Sequence, residues 1–479
     1  MTAKPRAVLA IDAGTTELKV GLVGLDGSLL GLARSRYPLD VDPSVGRAEQ
    51  DPEHWWRALS EAARALDAGE RAEVVAVGLT GQGPTLVALD AEGRPTRPAV
   101  TWLDTRAGAE MAELSAATTL RGWSLGVLPA ALWVTRHDPA AAARTRWWLN
   151  TWEAIGFRLT GVAATTLVPN QPFPAASVLA AAGLDGGRVA GTVPSGTPLA
   201  GLTREAASAV GLRAGIPVVT GMNDAFASCH GAGMIDPGDA FDAGGAAGGF
   251  GVYAAEPLEV AGSFCTPGPI AGRYVVGGAM AATGKALDWF RADVLGSASP
   301  IEELLAEAAA VPPGAEGLVF LPYLAGERSP LWDPTARGAF AGLTLRHGRA
   351  HLVRAILEAA ALAIRHVAEP IVAAGVDIRA MRVTGGPAQS DAWNRLKADV
   401  TGFPVEVPRV FETAVLGSAV AAAAGVGAHA DIGDAIRAMT RIDGRIEPDE
   451  ANRATYDRLY EAYVSLHPAI APVLRRLAP

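Results

Sequence analysis

A short turn near the start of the chain carries residues able to hold a phosphate group and its counter-ion. Asp12-Ala13-Gly14-Thr15-Thr16-Glu17-Leu18-Lys19 follows the apolar run 7–11. A carboxylate at the end of a buried strand is costly unless it is paired or bound to a cation. A turn with a glycine and two hydroxyls presents amides and hydroxyls to anionic oxygen. The same residues also suit an ordinary hairpin turn, with Asp12 satisfied by turn amides. A second such turn, Asp242-Ala243-Gly244-Gly245-Ala246-Ala247-Gly248-Gly249, begins about half-way along the chain, and Gly385-Gly386-Pro387-Ala388 forms a third. Glycine allows backbone to approach phosphate oxygens closely. None of the three reads G-x-x-x-x-G-K-[ST], which excludes the P-loop class. Asp224 ends Gly221-Met222-Asn223-Asp224 after the apolar segment 216–220. There it is either a general base or a helix N-cap.

The elements that position these residues read as α/β. The opening hairpin passes through Asp26-Gly27 into 28–38. Asp51-Pro52-Glu53 then starts a helix, with a cap, a proline at the first position and an acid at the positive end. Its apolar face is Trp55, Trp56, Leu59, Ala62, Ala63 and Leu66. A β-run over 74–80 ends in Gly81-Gln82-Gly83-Pro84. Residues 106–160 read as mostly helical, and Trp123, Trp133, Trp147, Trp148 and Trp152 read as packing residues. The strand 239–242 enters the second glycine turn. Beyond it come a helix over 287–295, a long helix over 351–374, a strand over 381–384, helices over 392–400 and 413–425, and a helical tail over 451–477. The two similar hairpins imply an internal duplication, with a boundary near Gly233–Pro237, where Asp236-Pro237-Gly238 is a strong turn signal.

Bulk properties narrow the partners. The 479 residues are 49% hydrophobic and 19% charged, with a formal net charge of -9. That balance disfavours nucleic acid, which needs clustered Lys/Arg. Cys229 and Cys265 stand in no CxxC or metal-spaced pattern and fit a reduced compartment. The N-terminal apolar run is too short for a signal peptide. The small-residue run 415–428 is too short to span a bilayer and reads as a buried helix. A cytoplasmic protein with no membrane contact is expected.

Taken in order, the motifs resemble the FGGY carbohydrate kinases, within the sugar kinase/Hsp70/actin fold group, and most closely their xylulokinase-like members. The resemblance spans nearly the whole chain. Asp12-Ala-Gly14-Thr15-Thr16-x-x-Lys19 resembles the family's first phosphate motif. Ala48-Glu49-Gln50-Asp51-Pro52-Glu53-His54-Trp55-Trp56 resembles its first-helix entry, and Trp102-Leu-Asp104-Thr-Arg106 its sugar-site segment. Asp224 falls where the family keeps its catalytic aspartate. Gly338-Ala-Phe340-Ala-Gly342-Leu343 with Leu352 and Glu358 fits its C-terminal signature, and Gly385-Gly-Pro-Ala-Gln-Ser-Asp-Ala-Trp393 its adenosine motif.

The resemblance implies two duplicated actin-like/ribonuclease H-like domains around a central cleft: residues 1–235 on the sugar side and 236–479 on the ATP side. It implies phosphoryl transfer from ATP to a hydroxyl of a pentulose such as xylulose, or of a related ketose or polyol, with Asp224 as base. Asp12 would hold Mg²⁺. ATP and its phosphates would lie on Gly14, Thr15, Thr16, Lys19, Gly244, Gly245, Gly248, Gly385, Gly386 and Ala388. The substrate would meet Gln82, Gly83, Trp102, Asp104, Arg106, Asn223 and Asp224, with Glu327 and Arg328 bracing the cleft. The implied partner is a small sugar or polyol, and a homodimer is compatible with the family.

The chain departs from the family's pattern at three places. The hydroxyl positions of the second phosphate turn are Ala246 and Ala247. Gln82-Gly83-Pro84-Thr85 stands where xylulokinases carry Gln-Met-His-Gly. Ala130 replaces a lysine of the N-terminal signature. The alternative left open is a weakly active or inactive homologue that senses a sugar. An ATPase with a protein partner fits less well, because the Trp102–Arg106 segment and the C-terminal signature both belong to sugar kinases.

Overall fold

The computed structural model describes residues 4–118, 120, 122–245, 247–296 and 300–477. By contact the chain divides into two compact units. The first comprises 1–233, 268–271 and 412–440; the second comprises 234–267, 272–411 and 441–479. A single cut at residue 235 therefore does not describe the division, because 412–440 packs with the N-terminal part. Small residues explain that packing. A Cβ on Gly231 would strike the Thr413 carbonyl, and one on Gly417 the Ala227 carbonyl, so the helices Asp224–Gly231 and Thr413–Gly425 touch backbone to backbone.

The first unit holds a six-stranded sheet in the order Pro198–Gly201, Pro217–Asn223, Glu73–Gly81, Arg6–Ala13, Glu17–Gly24, Leu29–Arg36. The second holds seven strands in the order Ile442–Ile446, Val405–Pro408, Ala380–Val383, Asp239–Asp242, Gly248–Ala254, Tyr274–Met280, Phe264–Pro267. In the first sheet Arg6–Ala13 pairs antiparallel with Glu17–Gly24, which pairs antiparallel with Leu29–Arg36; in the second, Asp239–Asp242, Gly248–Ala254 and Tyr274–Met280 repeat this, and Phe264–Pro267 adds one further edge strand. On the other side of the first strand a parallel partner, Glu73–Gly81 or Ala380–Val383, is followed by a second parallel strand, Pro217–Asn223 or Val405–Pro408. An antiparallel strand then closes that edge. The same order in both units is the duplication that the two hairpins implied.

Arg6–Ala13 has only its first residue exposed, because helices cover both faces of the parallel centre. The helix Pro52–Ala65 forms as expected: Asp51 accepts from the Glu53 amide at 2.9 Å, and Trp55, Ala58, Leu59, Ala62 and Ala63 are buried. Helix Thr413–Gly425 is buried within the first unit, and among the described residues no helix is long and apolar enough to cross a membrane. Two expectations need correction. Within 106–160 the segment Trp147–Leu149 is a strand, paired with Val87–Leu89; two adjacent tryptophans suit an extended half-buried chain as well as a helix. Trp123 is 45% exposed, with its ring centroid 6.3 Å from that of Trp102, and is no core residue.

Candidate active site

Asp12, Gln82 and Asp224 lie at or just past the carboxyl ends of three parallel neighbours. In register, Asp12 faces Thr80 and Asn223 faces Gly81. The carboxyl edge of parallel strands is where open α/β sheets bind ligands, because the loops diverge there and leave backbone groups free.

Asp12 is 4% exposed, and its Oδ1 has no hydrogen-bond partner. The other oxygen stands 3.8 Å from Lys19 Nζ. Burial pushes the Asp12 carboxyl up to about 6, against the pull of Lys19. Lys19 is closer to Glu412, at 2.9 Å, and Glu412 also pairs with Arg34. Although burial opposes it, the Lys19 and Arg34 charges hold Glu412 below its ordinary range. The turn itself is pinned by Tyr37, whose hydroxyl donates to the Gly14 carbonyl at 2.5 Å. Gly14 N donates to Glu17 O at 3.1 Å, and Thr16 is exposed.

Asp224 is the first residue of its helix, and the cap is Asn223, whose Oδ1 accepts from Phe226 N at 2.8 Å. The capping work thus falls to Asn223 and not to Asp224. Asp224 Oδ1 accepts from the Ala225 amide at 2.8 Å. Burial first, and the Asp12 charge second, push Asp224 up to about 7. A carboxylate poised near neutrality suits proton abstraction. His230, on the same helix, is buried beside Pro269 and driven down to about 4, a neutral core imidazole.

The expected sugar segment is tied to the phosphate turn, since Trp102 Nε1 donates to Thr15 Oγ1 at 2.9 Å. Asp104 and Arg106 are turned toward each other. Asp104 Oδ2 accepts from Ala48 N at 2.9 Å and from Arg106 Nη2 at 2.6 Å. Arg106 also donates to Glu49 at 2.6 Å and lies 4.3 Å over the Trp133 ring. These bonds hold the segment in place and engage both carboxylate oxygens. Gly83 is required sterically, because its Cβ would stand 2.7 Å from the Trp152 ring.

In the second unit Asp242 occupies the place of Asp12 but is paired, with Oδ2 2.5 Å from Lys397 Nζ, both side chains buried. Gly385 adopts φ +73°, and a Cβ there would strike the Gly244 carbonyl, so the second and third glycine turns abut. A groove of about 700 Å³ runs beside them, lined by Gly245, Gly386, Ser390 and Trp393 with Leu287 and Leu305. Gly244 lines a smaller adjoining cavity together with Thr283 and Lys397. A Cβ on Gly248 would stand 2.5 Å from Thr283 Oγ1. Gly385 and Ala388 are absent from the groove's lining; Ala388 is 1% exposed, and its carbonyl accepts from Asn394 at 2.7 Å. Ala246 lies outside the described residues. Glu327 accepts from Ala281 N at 2.8 Å, and Arg328 donates to Met280 O at 2.7 Å, which braces the adjoining loop.

Sequence reasoning missed Gln50, Tyr37, Glu412 and Lys397. Gln50 was visible as a polar residue just ahead of a capped helix. Nothing in the local pattern marks the other three, whose partners are distant in the chain.

Comparisons with known proteins place the chain. The doubled sheet is the fold of the two-domain sugar kinases. Residues 7–168 match the N-terminal domain of the FGGY family of carbohydrate kinases, and residues 245–426 match its C-terminal domain. The xylulose kinase of Escherichia coli K12 is 31% identical over 419 residues, 82% of this chain and 84% of that protein. The gluconokinase of Bacillus subtilis 168 is 26% identical over 493 residues, 96% of this chain and 95% of its own. The crystal structure of xylulose kinase from Rhodospirillum rubrum superposes with a TM-score of 0.84 at 32% identity, over 98% of this chain and 100% of that one. Gluconate kinase from Lactobacillus acidophilus shares the fold, with a TM-score of 0.87 at 23% identity, covering 99% and 100%. The chain belongs to the FGGY family of carbohydrate kinases, on its xylulokinase-like side, and it is a carbohydrate kinase.

Proposed function

We propose that this kinase transfers the γ-phosphoryl of ATP to a hydroxyl of a pentulose or a related ketose or polyol, with Asp224 as general base. The observation that carries the reading is the pair of carboxylates at the ends of the two strands that flank Glu73–Gly81. Asp12 keeps one buried oxygen without a partner, and Asp224 is pushed up to about 7. The two acids thus have separate tasks. Asp224 takes the proton of the attacking hydroxyl as that oxygen closes on phosphorus. Asp12 Oδ1 suits Mg²⁺, which keeps most of its waters and asks for one or two carboxylates. When bound, the ion neutralises phosphate charge. The turn Gly14–Thr16 offers amides and hydroxyls toward phosphate, and Trp102, fixed through Thr15, offers an apolar wall to a sugar ring or chain. The groove beside Gly245 and Gly386 suits a nucleotide, since its walls pair glycine backbone with apolar side chains.

A second reading, a weakly active sugar sensor, is favoured by Ala247 in the second phosphate turn. ADP release across pentuloses, hexuloses, pentitols, erythritol, glycerol and gluconate separates the two. Turnover with one class of acceptor supports the kinase reading, and silence with all of them supports the sensor.

A further inference from the structure

Four hydrogen bonds fix which way round two buried amides face. Gln50 is 3% exposed and Gln82 is 1% exposed. Gln50 Nε2 stands 2.7 Å from the Thr15 carbonyl and 3.3 Å from the Pro38 carbonyl. Carbonyls only accept, so this end of Gln50 is the NH2. The opposite end, Oε1, receives the Trp55 indole N–H at 3.3 Å, and an indole only donates. Oε1 must therefore accept from Gln82 as well, at 2.6 Å, and Gln82 must present its NH2 to Gln50. That leaves Gln82 Oε1 facing away. It is buried and has no hydrogen-bond partner. The orientation follows from the fixed chemistry of two carbonyls and an indole, so neither amide can flip without setting acceptor against acceptor.

Gln82 begins just past the strand Glu73–Gly81, and its own amide donates to Ala13 O at 2.8 Å, beside Asp12. A buried acceptor without a partner is a costly thing to keep. Its cost is relieved when a ligand brings an O–H. We infer that Gln82 Oε1 is a specificity determinant that reads a hydroxyl donor on the sugar, and that Gln50 is the positioning residue that sets its polarity. This inference rests on the proposed kinase reading and adds to it the sign of one contact: the substrate must give a proton in a hydrogen bond here. A keto oxygen, an ether oxygen or a fluorine, which only accept, would face Oε1 lone pair to lone pair. Gln50 also holds the Thr15 carbonyl, so one side chain orients both the sugar-reading amide and the first phosphate turn.

The test begins with unmodified protein and the best acceptor found among D-xylulose, L-xylulose, D-ribulose and gluconate. Monodeoxy and monofluoro analogues at each carbon of that acceptor are then assayed by ADP release. At one carbon, deoxygenation and fluorination should each lower kcat/KM by about tenfold or more, with KM for ATP unchanged. Fluorine should not rescue, because it cannot donate. Gln82→Met should erase that penalty. Gln50→Met, which frees Gln82 to turn, should weaken it. Gln50→Glu still accepts from Trp55 and Gln82 but sets an oxygen against the Thr15 and Pro38 carbonyls, so it should retain the discrimination while lowering overall turnover; a purely structural role for Gln50 would make the two variants alike in discrimination. Rescue by fluorine at every carbon, or an unchanged penalty in Gln82→Met, overturns the inference while leaving the kinase reading intact. Nucleotide binding without turnover on any sugar removes the kinase reading itself, and this inference with it.

Discussion

Lys19 is bound to Glu412: its Nζ lies 2.9 Å from that carboxylate, nearer than the 3.8 Å that separates it from Asp12. The lysine that the sequence offers to phosphate is thus already neutralised by a residue from the segment 412–440. Glu412 keeps Lys19 from acting as a full counter-ion to Asp12, whose Oδ1, the oxygen proposed above to take Mg²⁺, has no hydrogen-bond partner.

Removing the Glu412 charge should therefore strengthen the Lys19–Asp12 pair at the expense of Mg²⁺. For Glu412→Gln the Mg²⁺ concentration giving half-maximal rate should rise several-fold, consistent with about 1 kcal/mol for a partly exposed charge pair. The sugar KM should stay level. A magnesium titration at saturating ATP checks this, and an unchanged or lowered requirement would show that Glu412 does not keep Lys19 from Asp12.

Asp224 links activity and stability with opposite signs. Its folded pKa, about 7, lies above the ordinary 3.8, so the folded chain holds that proton more tightly than the unfolded chain. Asp12, at about 6, behaves likewise. The stability these groups contribute is full below about 4 and is lost as pH rises through 6 to 7. As the proposed base Asp224 must be ionised, so kcat/KM should climb over the upper part of the same window. Asp224→Asn should lower turnover by about 10²–10⁴-fold, yet melt at a higher temperature than the parent at pH 8 and show a flatter decline from pH 5 to 8. Near-parent turnover would remove Asp224 as the base, and a lower melting point at pH 8 would contradict the burial argument.

The Asp242–Lys397 pair should behave as one buried unit. Its side chains are 4% and 3% exposed. Lys397→Met strands a carboxylate in a dry site and should cost about 3–5 kcal/mol. Asp242→Asn/Lys397→Met should recover most of that loss, because two similar-sized neutral groups replace the pair. Urea unfolding of the singles and the double closes the cycle. Additive losses would show that the two residues do not share one interaction.

How much of this was legible beforehand depends on how local the cause was. Asp12 and Asp224 announce themselves because each ends an apolar β-run, where an acid needs a reason to be present. The helix at Pro52 was legible from its cap, and the duplicated sheet from two hairpins of like composition. Gln50 is visible as a polar residue ahead of that helix, but its role is not, because that role lies in the acceptors it meets, the Thr15 and Pro38 carbonyls, and no local pattern encodes a tertiary carbonyl. Glu412 reaches Lys19 only because 412–440 crosses to the first unit, which glycines at 231 and 417 permit and which no periodicity reveals. The Asp104–Arg106 pair shows the converse case: the residue types suit sugar binding, but folding turns them toward each other and Glu49.

The second phosphate turn offers the most direct test of catalytic capacity. Ala247 stands where the family places a hydroxyl, as does Ala246. The turn's glycines bring backbone close: Ala243 N donates to Gly249 O at 2.7 Å, closing the loop, and Thr283 crowds Gly248 from the facing helix. A hydrogen bond to a charged group contributes about 1.5–3 kcal/mol, equivalent to about 10–150-fold in affinity. Ala247→Ser should therefore lower KM for ATP, by several-fold if the backbone already satisfies part of the phosphate and by more if it does not. Ala246→Thr combined with Ala247→Ser should go further, with the sugar KM unmoved. Initial rates over an ATP series decide it. If neither variant shifts the ATP dependence, backbone amides alone carry the nucleotide at this turn, and the loss of both hydroxyls is no sign of a weakened kinase.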